Sequence, residues 1–284
     1  MAPSNGYGAV PNGSHAENGL LNGADAERAA LLGKPERGDN AILRLRGHMT
    51  DDVSKTWGDL ILLGCYVVTG LLDSSSVQVW GSFASMQTGN TIYFGLGLAN
   101  PYGSNRWIRA GISVACFCIG SFFFARYHRY LGQRKRWVMV SSFTIQLLLM
   151  TAAAMIVTLG PATSTAGPVN EFIAVPIALL AFQSAGQAVT SRVLGYNGLT
   201  SVVLTSIYCD LFMDPKLLTA PPRENIERNR RAAAAVCVGF GAFLGGVWGQ
   251  SRFGLPGALW TAVALKAFVT VGWLFWKADP EIPA

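Results

Sequence analysis

The sequence has few charged residues, and those it has are unevenly distributed. Asp, Glu, Lys and Arg make up 13% of the 284 residues, whereas about 25% is usual for a soluble domain. Residues 1–56 carry 13 of these charges, and the other 228 residues carry only 25. So few charges could not cover a surface exposed to water. The composition excludes a soluble enzyme and a secreted disulfide scaffold, and it predicts that most of the chain faces lipid.

Histidine and cysteine, which supply many catalytic and metal sites, are also scarce. The chain has three histidines and five cysteines, and none of them has a second ligand at the spacing of a zinc site. We therefore expect no metal, no cofactor and no enzymatic activity. The net charge of +6 comes from short loops between apolar runs. This placement is typical of membrane topology and argues against a nucleic-acid partner.

Apolar segments alternate with short polar breaks from residue 57 onward. A helix needs about 20 residues to cross a bilayer, and two of the segments do not satisfy this cleanly. Residues 77–99 are interrupted near Thr88-Gly89-Asn90, and residues 199–213 are short and contain Asp210. We expect the first helix to end at Leu72, because four polar residues follow it. The eight segments are residues 57–72, 77–99, 110–125, 137–160, 172–191, 199–213, 232–251 and 253–276.

The distribution of Lys and Arg predicts how many segments cross the membrane. If each irregular segment folds back, 15 basic residues fall on one side of the bilayer and three, Arg106, Arg109 and Arg252, on the other. Basic residues accumulate in cytoplasmic loops. We therefore predict an all-α helical bundle with about six net crossings and two interrupted segments. Both termini would be cytoplasmic, in the plasma membrane or an internal one.

The chain divides into three regions by composition. Residues 1–56 are rich in Gly, Asn, Ala and mixed charge, which predicts a disordered cytoplasmic tail. Residues 57–277 form the predicted membrane bundle, and residues 278–284 a short C-terminal tail. Within the bundle, the polar residues before each interrupted segment favour an inverted repeat with three crossings in each half. Few residues are identical between the halves, so an unrepeated bundle remains the alternative.

Three blocks of sequence resemble a known family. The pattern Gly-x-x-Asp at residues 70–73 precedes Met-x-Thr-Gly-Asn at residues 86–90, and Gly-Leu-Gly-Leu-Ala follows at residues 95–99. These blocks resemble the signature of the YoaK-like family of membrane proteins of unknown function. Residues 183–185, Thr205 and residues 210–211 are similar to its second block, although Ser206 stands where the family often has Gly. Over residues 57–276, the resemblance implies a polytopic membrane protein, often suspected of transport, without a catalytic residue.

Charged residues at bilayer depth are the candidate functional residues, because they are costly there and usually functional. Asp73 is either a carboxylate that caps the next segment or a cation or proton site. Asp210 lies in the short segment, and we favour a functional role for it over an interfacial one. Lys266 is too deep for its stem to reach the interface. We expect it to pair with Asp73 or Asp210, either functionally or as a structural ion pair.

Uncharged polar residues in the interrupted segments allow two interpretations. Thr88, Gly89 and Asn90 could bind a solute, or they could form a tight, self-satisfied break. Gln183 and Gln187 lie one turn apart, and we favour hydrogen bonds between helices over cavity lining. Gly241, Gly245 and Gly249 form a small-residue stripe typical of helix packing.

The sequence thus predicts a secondary transporter of an unidentified small solute, with the proton as a candidate coupling ion. Asp73, Thr88, Asn90, Asp210 and Lys266 are the residues we expect to bind the solute or couple its movement. The alternative is a membrane scaffold or accessory protein that transports nothing, in which these residues only specify packing. The predicted partners are the lipid bilayer and the solute, and oligomeric state is not readable from the sequence.

Overall fold

The computed structural model describes residues 37–161, 163, 167–196, 198–199 and 202–279. Over these residues the chain is helical and forms no strand, which confirms the predicted all-α fold. The nine helices of the described residues are α1 (Arg37–Thr50), α2 (Gly58–Trp80), α3 (Gln87–Ala99), α4 (Arg106–Leu131), α5 (Arg136–Leu159), α6 (Glu171–Val193), α7 (Thr205–Phe212), α8 (Ile226–Gln250) and α9 (Gly254–Leu274).

Six of these helices have the length and composition of membrane spans. They are α2, α4, α5, α6, α8 and α9, which contain 21 to 26 residues each. Helices α3 and α7 contain only 13 and 8 residues, too few to cross the hydrocarbon core. The prediction of six crossings and two interrupted segments is therefore confirmed among the described residues, and the protein is an integral membrane protein with several spans.

The predicted N-terminal tail contains one helix. Helix α1 occupies residues 37–50 of the segment that the sequence predicts to be disordered. Its apolar residues Ile42, Leu45 and Met49 recur at helical spacing, which explains how a segment with many polar residues becomes helical. Residues 1–36, which make up the rest of that tail, and the final residues 280–284 lie outside the described residues.

The first membrane helix is longer than the sequence predicts, and the expected end at Leu72 is wrong. Helix α2 continues through Asp73 and three serines to Trp80. The Ser74 hydroxyl donates to the carbonyl of Leu71 over 3.2 Å, so its polar group is satisfied within the helix. Gly81 ends α2 with a φ of 70°, which glycine adopts without strain. The break therefore comprises residues 81–86, and Thr88-Gly89-Asn90 lie in the first turn of α3.

Helix contacts show that the two halves of the bundle follow one plan. Each half has a long helix, a break, a short helix and two further long helices, so that α2–α5 correspond to α6–α9. In the first half, α2 packs against α8 and α9, and α3 packs against α4. In the second half, α6 packs in the corresponding way against α4 and α5, and α7 packs against α8. Because each half has an odd number of spans, the second half is inverted relative to the first.

Helices α2 and α6 lie at the centre of the bundle. In each of them 61% of the most apolar stretch is buried, against 17% in α8. Glycines let α2 and α8 approach closely: a Cβ on Gly70 would lie 2.1 Å from the Val238 carbonyl oxygen, and one on Gly241 the same distance from that of Val67. The predicted glycine stripe of α8 is thus a packing surface.

Candidate functional site

Asp73 forms hydrogen bonds with the break between α2 and α3. Its carboxylate accepts hydrogen bonds from the Ser85 backbone N–H over 2.7 Å and from the Ser85 hydroxyl over 2.6 Å. Ser85 directly precedes Met86, the N-cap of α3, so a negative charge lies at the positive end of this short helix. This geometry agrees in part with the capping interpretation of Asp73, because the carboxylate binds Ser85 just before α3 and not an N–H group of the helix itself. It does not exclude a further ligand, because each carboxylate oxygen has a second lone pair.

Asn90 holds the same break from inside. Its side chain is fully buried, and its Oδ1 accepts from the Ser82 hydroxyl over 3.2 Å and the Phe83 N–H over 2.9 Å. Its Nδ2 donates to the Phe83 carbonyl over 2.8 Å, to Ser113 Oγ and to Gln87 Oε1, both over 3.0 Å. Every donor and acceptor of the amide is occupied by protein, so Asn90 orders the backbone around the site without facing it.

Two arginines of α4 complete the enclosure of the first break. The buried Arg109 donates from Nη1 to the carbonyl of Trp80 over 3.0 Å, and Arg106 donates to the carbonyl of Gly81. These carbonyls lie at the end of α2, where a helix leaves its last acceptors unsatisfied and carries partial negative charge. Arg106 and Arg109 therefore have a structural role besides the topological one predicted for them.

A cavity of about 630 Å³ lies between the two interrupted segments. One wall comes from Asp73 and from residues 85–88 at the start of α3. The opposite wall comes from residues 202–205 at the start of α7 and from Arg192 in the last turn of α6. Each half of the repeat thus contributes the beginning of its short helix. Thr200 and Ser201, which the sequence places in the second interruption, lie outside the described residues.

Two of the five predicted site residues line this cavity. They are Asp73 and Thr88, the latter with an exposed side chain. Asn90 lies behind the wall and supports it. Asp210 is exposed and is not among the lining residues, and Arg231 contacts only its backbone carbonyl, over 3.4 Å. The structure therefore does not bring Asp210 together with Asp73.

Lys266 also lies outside the cavity, and the prediction that it pairs with Asp73 or Asp210 is wrong. Its fully buried ammonium donates to Gln187 Oε1 over 2.6 Å and lies 4.7 Å from the centre of the Phe143 ring. Among the described residues it forms no salt bridge with a carboxylate. A neutral amide and an aromatic face take the place of the expected acid: the amide oxygen accepts a hydrogen bond from the ammonium, and the negative face of the ring attracts its charge.

Gln187 connects Lys266 to the cavity. Its Nε2 donates to Thr69 Oγ1 over 3.3 Å and to the carbonyl of Cys65 over 3.4 Å, and Thr69 lines the cavity. The predicted hydrogen bonds between helices are thus present for Gln187. The buried Gln183 has no hydrogen-bond partner for either side-chain atom among the described residues, so its predicted role remains a prediction.

Sequence reasoning missed two lining residues with clear chemical capability. Arg192 and Thr69 were overlooked because an arginine at the end of a span indicates topology, and a threonine within a span is ordinary. The signal that could have found Arg192 is its position seven residues before the second interrupted segment, residues 199–213. Only the antiparallel packing of α6 on α2 shows that it faces the same space as Asp73.

The side chains that line the cavity are suited to binding a small molecule. Among the described residues no group of three His, Cys, Asp or Glu could hold a metal ion. The lining combines one carboxylate, one guanidinium, several hydroxyls and apolar side chains, of which Phe117 and Val238 are examples. A site of this volume and composition is typical for a small organic molecule.

Fold and site together define a polytopic membrane protein with two interrupted segments that enclose a central cavity. Residues 61–272 match the sequence profile of the family described as "Protein of unknown function (DUF1275)". The chain belongs to this DUF1275 family, which covers the whole bundle from α2 to α9. No curated protein and no solved structure is similar enough to this chain to give a match.

Proposed function

We propose that this protein is a secondary transporter of a small solute, and that the cavity is its binding site. One observation carries the proposal: the cavity lies where the starts of α3 and α7, the corresponding short helices of the two halves, face each other. Interrupted helices at corresponding positions of an inverted repeat are the usual location of transporter binding sites. The YoaK-like resemblance, with its suspicion of transport, agrees with this proposal.

The position of Asp73 supports a role in coupling. Its carboxylate holds the first break through Ser85 at 2.6 and 2.7 Å, and it also lines the cavity. A proton added to the carboxylate would weaken its hydrogen bonds from two donors, because the protonated form is a poorer acceptor. Protonation would thereby loosen the start of α3. We propose the proton as the coupling ion on this basis.

A flux experiment on the full chain in proteoliposomes tests the transporter proposal. Vesicles loaded with a pH-sensitive dye would receive pools of small carboxylates, amines, sugars and neutral amides in turn. We expect one class to change the internal pH, and a protonophore to abolish the change. Asp73→Asn should abolish flux at normal expression, whereas Asp214→Asn, at a half-buried aspartate outside the cavity, should leave it intact.

A second variant tests the cavity itself. Val189 lines the cavity from α6, so Val189→Trp should fill part of its volume and abolish flux without removing any polar group. Normal flux through Asp73→Asn or through a correctly folded Val189→Trp would contradict the proposal.

The alternative function is a membrane scaffold or accessory protein without transport. The satisfied hydrogen bonds of Asn90 favour it, since they show polar groups that serve only to hold backbone. Under this alternative, Val189→Trp would alter stability alone, and every pool of solutes would leave the internal pH unchanged. Neither proposal assigns the protein a catalytic step or a nucleic-acid partner.

A further inference from the structure

We infer that the solute is an organic anion with an apolar body, of which a medium-chain carboxylate is the simplest example. This inference names the class of solute for the proposed function, and it rests on the proposal that the cavity is the solute-binding site. It is carried by the distribution of charge around the cavity, by a buried cation behind its wall and by the apolar character of the lining.

The two charged lining residues are not equally available to a ligand. Asp73 and Arg192 are the only described lining residues that carry a charge. Both oxygens of Asp73 already accept hydrogen bonds from Ser85. Arg192 donates from Nη1 to the Ala188 carbonyl of its own helix over 2.9 Å and has no carboxylate partner among the described residues. A guanidinium has five N–H donors, so Arg192 retains capacity for an anion.

The two charges are also far apart. The Leu194 side chain lies 3.7 Å from where a Cβ on Gly58 would stand, so the end of α6 adjoins the start of α2. Gln187 bonds Thr69 further along the same pair of helices. At 1.5 Å per residue, Arg192 and Asp73 are separated by roughly 14–20 Å along the helix axes. Asp73 therefore does not neutralise Arg192, and the Arg192 end of the cavity is positive.

Two further features add positive potential to the cavity wall. Helix α7 begins at the cavity with Leu204 as its N-cap, which has no side-chain acceptor. The first N–H groups of a helix attract anions when no side chain caps them. Independently, the buried ammonium of Lys266 donates to Gln187, and Gln187 in turn donates to Thr69 in the lining. Because Gln187 donates to Thr69 Oγ1, the Thr69 hydroxyl hydrogen is available to an acceptor in the cavity.

The remainder of the lining suits an apolar body. Tyr66, Phe117, Ala188, Val202 and Val238 all contribute to the cavity surface, and a volume of about 630 Å³ accommodates a small organic molecule. An inorganic anion would leave this surface hydrated and would gain nothing from it. An organic cation would have to approach Arg192 or compete with Ser85 for Asp73.

A binding experiment with three matched probes tests the inference. Hexanoate, hexanamide and hexylamine share one apolar chain and differ in charge. The full chain in detergent would be unfolded thermally with each probe, and its tryptophan fluorescence followed. We expect hexanoate alone to raise the Tm with rising concentration, since a ligand of the folded state stabilises it.

Variants locate the site of binding. Arg192→Gln should weaken hexanoate binding about ten- to a hundredfold, as expected for loss of a hydrogen bond to a charged group, and Arg192→Lys should restore part of it. Thr69→Val should weaken binding less, and it provides a second test should Arg192→Gln fold poorly. Arg252→Gln is the matched control, because Arg252 is exposed and does not line the cavity.

The other outcomes overturn either the anion site or the transporter proposal, and they can be told apart. A Tm raised by hexylamine and not by hexanoate, and lost in Asp73→Asn, would show a cation site and leave the transporter proposal standing. Equal stabilisation of wild type and Arg192→Gln by hexanoate would show binding elsewhere, and no stabilisation by any probe would exclude this class of ligand. Hexanoate binding that depends on Arg192 without any flux would instead refute transport and preserve the anion site.

Discussion

The two interrupted segments occupy corresponding places but are held by different means. In the first half, Asp73, Asn90 and Arg109 bond the residues of the break or the carbonyls before it. In the second half, the residues directly before α7 are Val202, Val203 and Leu204, and α7 has no side-chain cap. Earlier in this break, the Tyr196 hydroxyl donates to the Lys55 carbonyl over 2.7 Å. Side chains therefore hold the residues directly before α3, whereas no side chain caps the start of α7.

Burial explains this difference. Residues Ser82, Ala84 and Ser85 of the first break are buried, and buried backbone groups must be hydrogen-bonded. Val203 of the second break is 42% exposed, so its surroundings impose no such requirement. Hydrogen bonds from buried side chains therefore fix the residues directly before α3, and Val203, just before α7, is under no such constraint from burial.

Glycines at close helix contacts should give the largest predicted difference in stability between the two halves. Gly70→Ala would place a methyl group 2.1 Å from the Val238 carbonyl oxygen, and we expect it to destabilise the protein by about 3 kcal/mol. The corresponding contact of α4 with α6 is looser, because a Cβ on Gly120 would lie 2.7 Å from the Phe182 carbonyl oxygen. Gly120→Ala should therefore cost less. Unfolding in SDS, followed by tryptophan fluorescence, measures both.

Gly246→Ala is the control for these two variants, because no atom lies within 4 Å of its added methyl group. It should be neutral or slightly stabilising, since alanine is the better helix former. Equal effects of Gly70→Ala and Gly246→Ala would contradict the packing of α2 on α8.

Removal of the amide that orders the first break should have the next largest effect. Asn90→Ala leaves Ser82, Phe83 and Ser113 without a shared partner in a buried place, and we expect a loss of roughly 2 kcal/mol. In the second half, Ser206→Ala changes an exposed residue of α7 and should stay within about 0.5 kcal/mol. The same SDS titration compares them, and similar losses would show that the two breaks are held alike.

A double-mutant cycle tests the partner of Lys266. Because Lys266 donates to Gln187, Lys266→Met and Gln187→Leu should be coupled by about 1–2 kcal/mol in the free energy of unfolding. Lys266→Met and Asp210→Asn should be additive within about 0.5 kcal/mol. Coupling to Asp210 instead would restore the ion pair that the sequence suggested and overturn the observed arrangement.

The smallest effect concerns the loop between α7 and α8. Asn225 Nδ2, over 2.7 Å, and the Lys216 N–H, over 2.8 Å, donate to the Asp214 carboxylate and lower its pKa below the ordinary value of 3.8. The pKa is thus lower in the folded than in the unfolded chain. The carboxylate consequently steadies the loop at neutral pH, and this contribution is lost as the pH falls through the folded value.

Spin labels would measure this effect in a variant whose native cysteines are replaced. A label at Leu218, in the α7–α8 loop, should become more mobile as the pH falls from about 5 to about 2. A label at Tyr102 should not respond, because the corresponding connection at residues 100–105 contains no carboxylate. Leu218 and Tyr102 are both exposed. A response of the second label, or none of the first, would contradict the role of Asp214.

Most of the fold could be predicted from local sequence. The six spans and two interruptions follow from the length of the apolar runs and the placement of Lys and Arg. Both patterns arise because it is costly to bury a polar or charged group in lipid. The end of α2 could not be predicted, because Ser74 satisfies its hydroxyl within the helix. A polar run looks the same in the sequence whether or not its groups find partners.

The candidate site was only partly predictable. Asp73 and Thr88 were found because polar residues at bilayer depth are unusual. The partner of Lys266 was missed because a sequence cannot show that Gln187 and Phe143 surround the ammonium. Arg192 was missed because the sequence does not show that its side chain lines the same cavity as Asp73.

The sequence by itself determined that this chain lives in a membrane, crosses it about six times and interrupts two of its segments, because the bilayer penalises each polar residue individually. Only the tertiary structure decided which polar groups meet. In the folded chain Asp73 accepts hydrogen bonds from Ser85, and Lys266 donates to Gln187 behind the cavity wall. Asp210 lies outside the cavity, whereas Arg192 lines it. Arg192 shares the cavity with Asp73 only because α6 packs against α2, and this packing brings together residues more than a hundred positions apart in the chain.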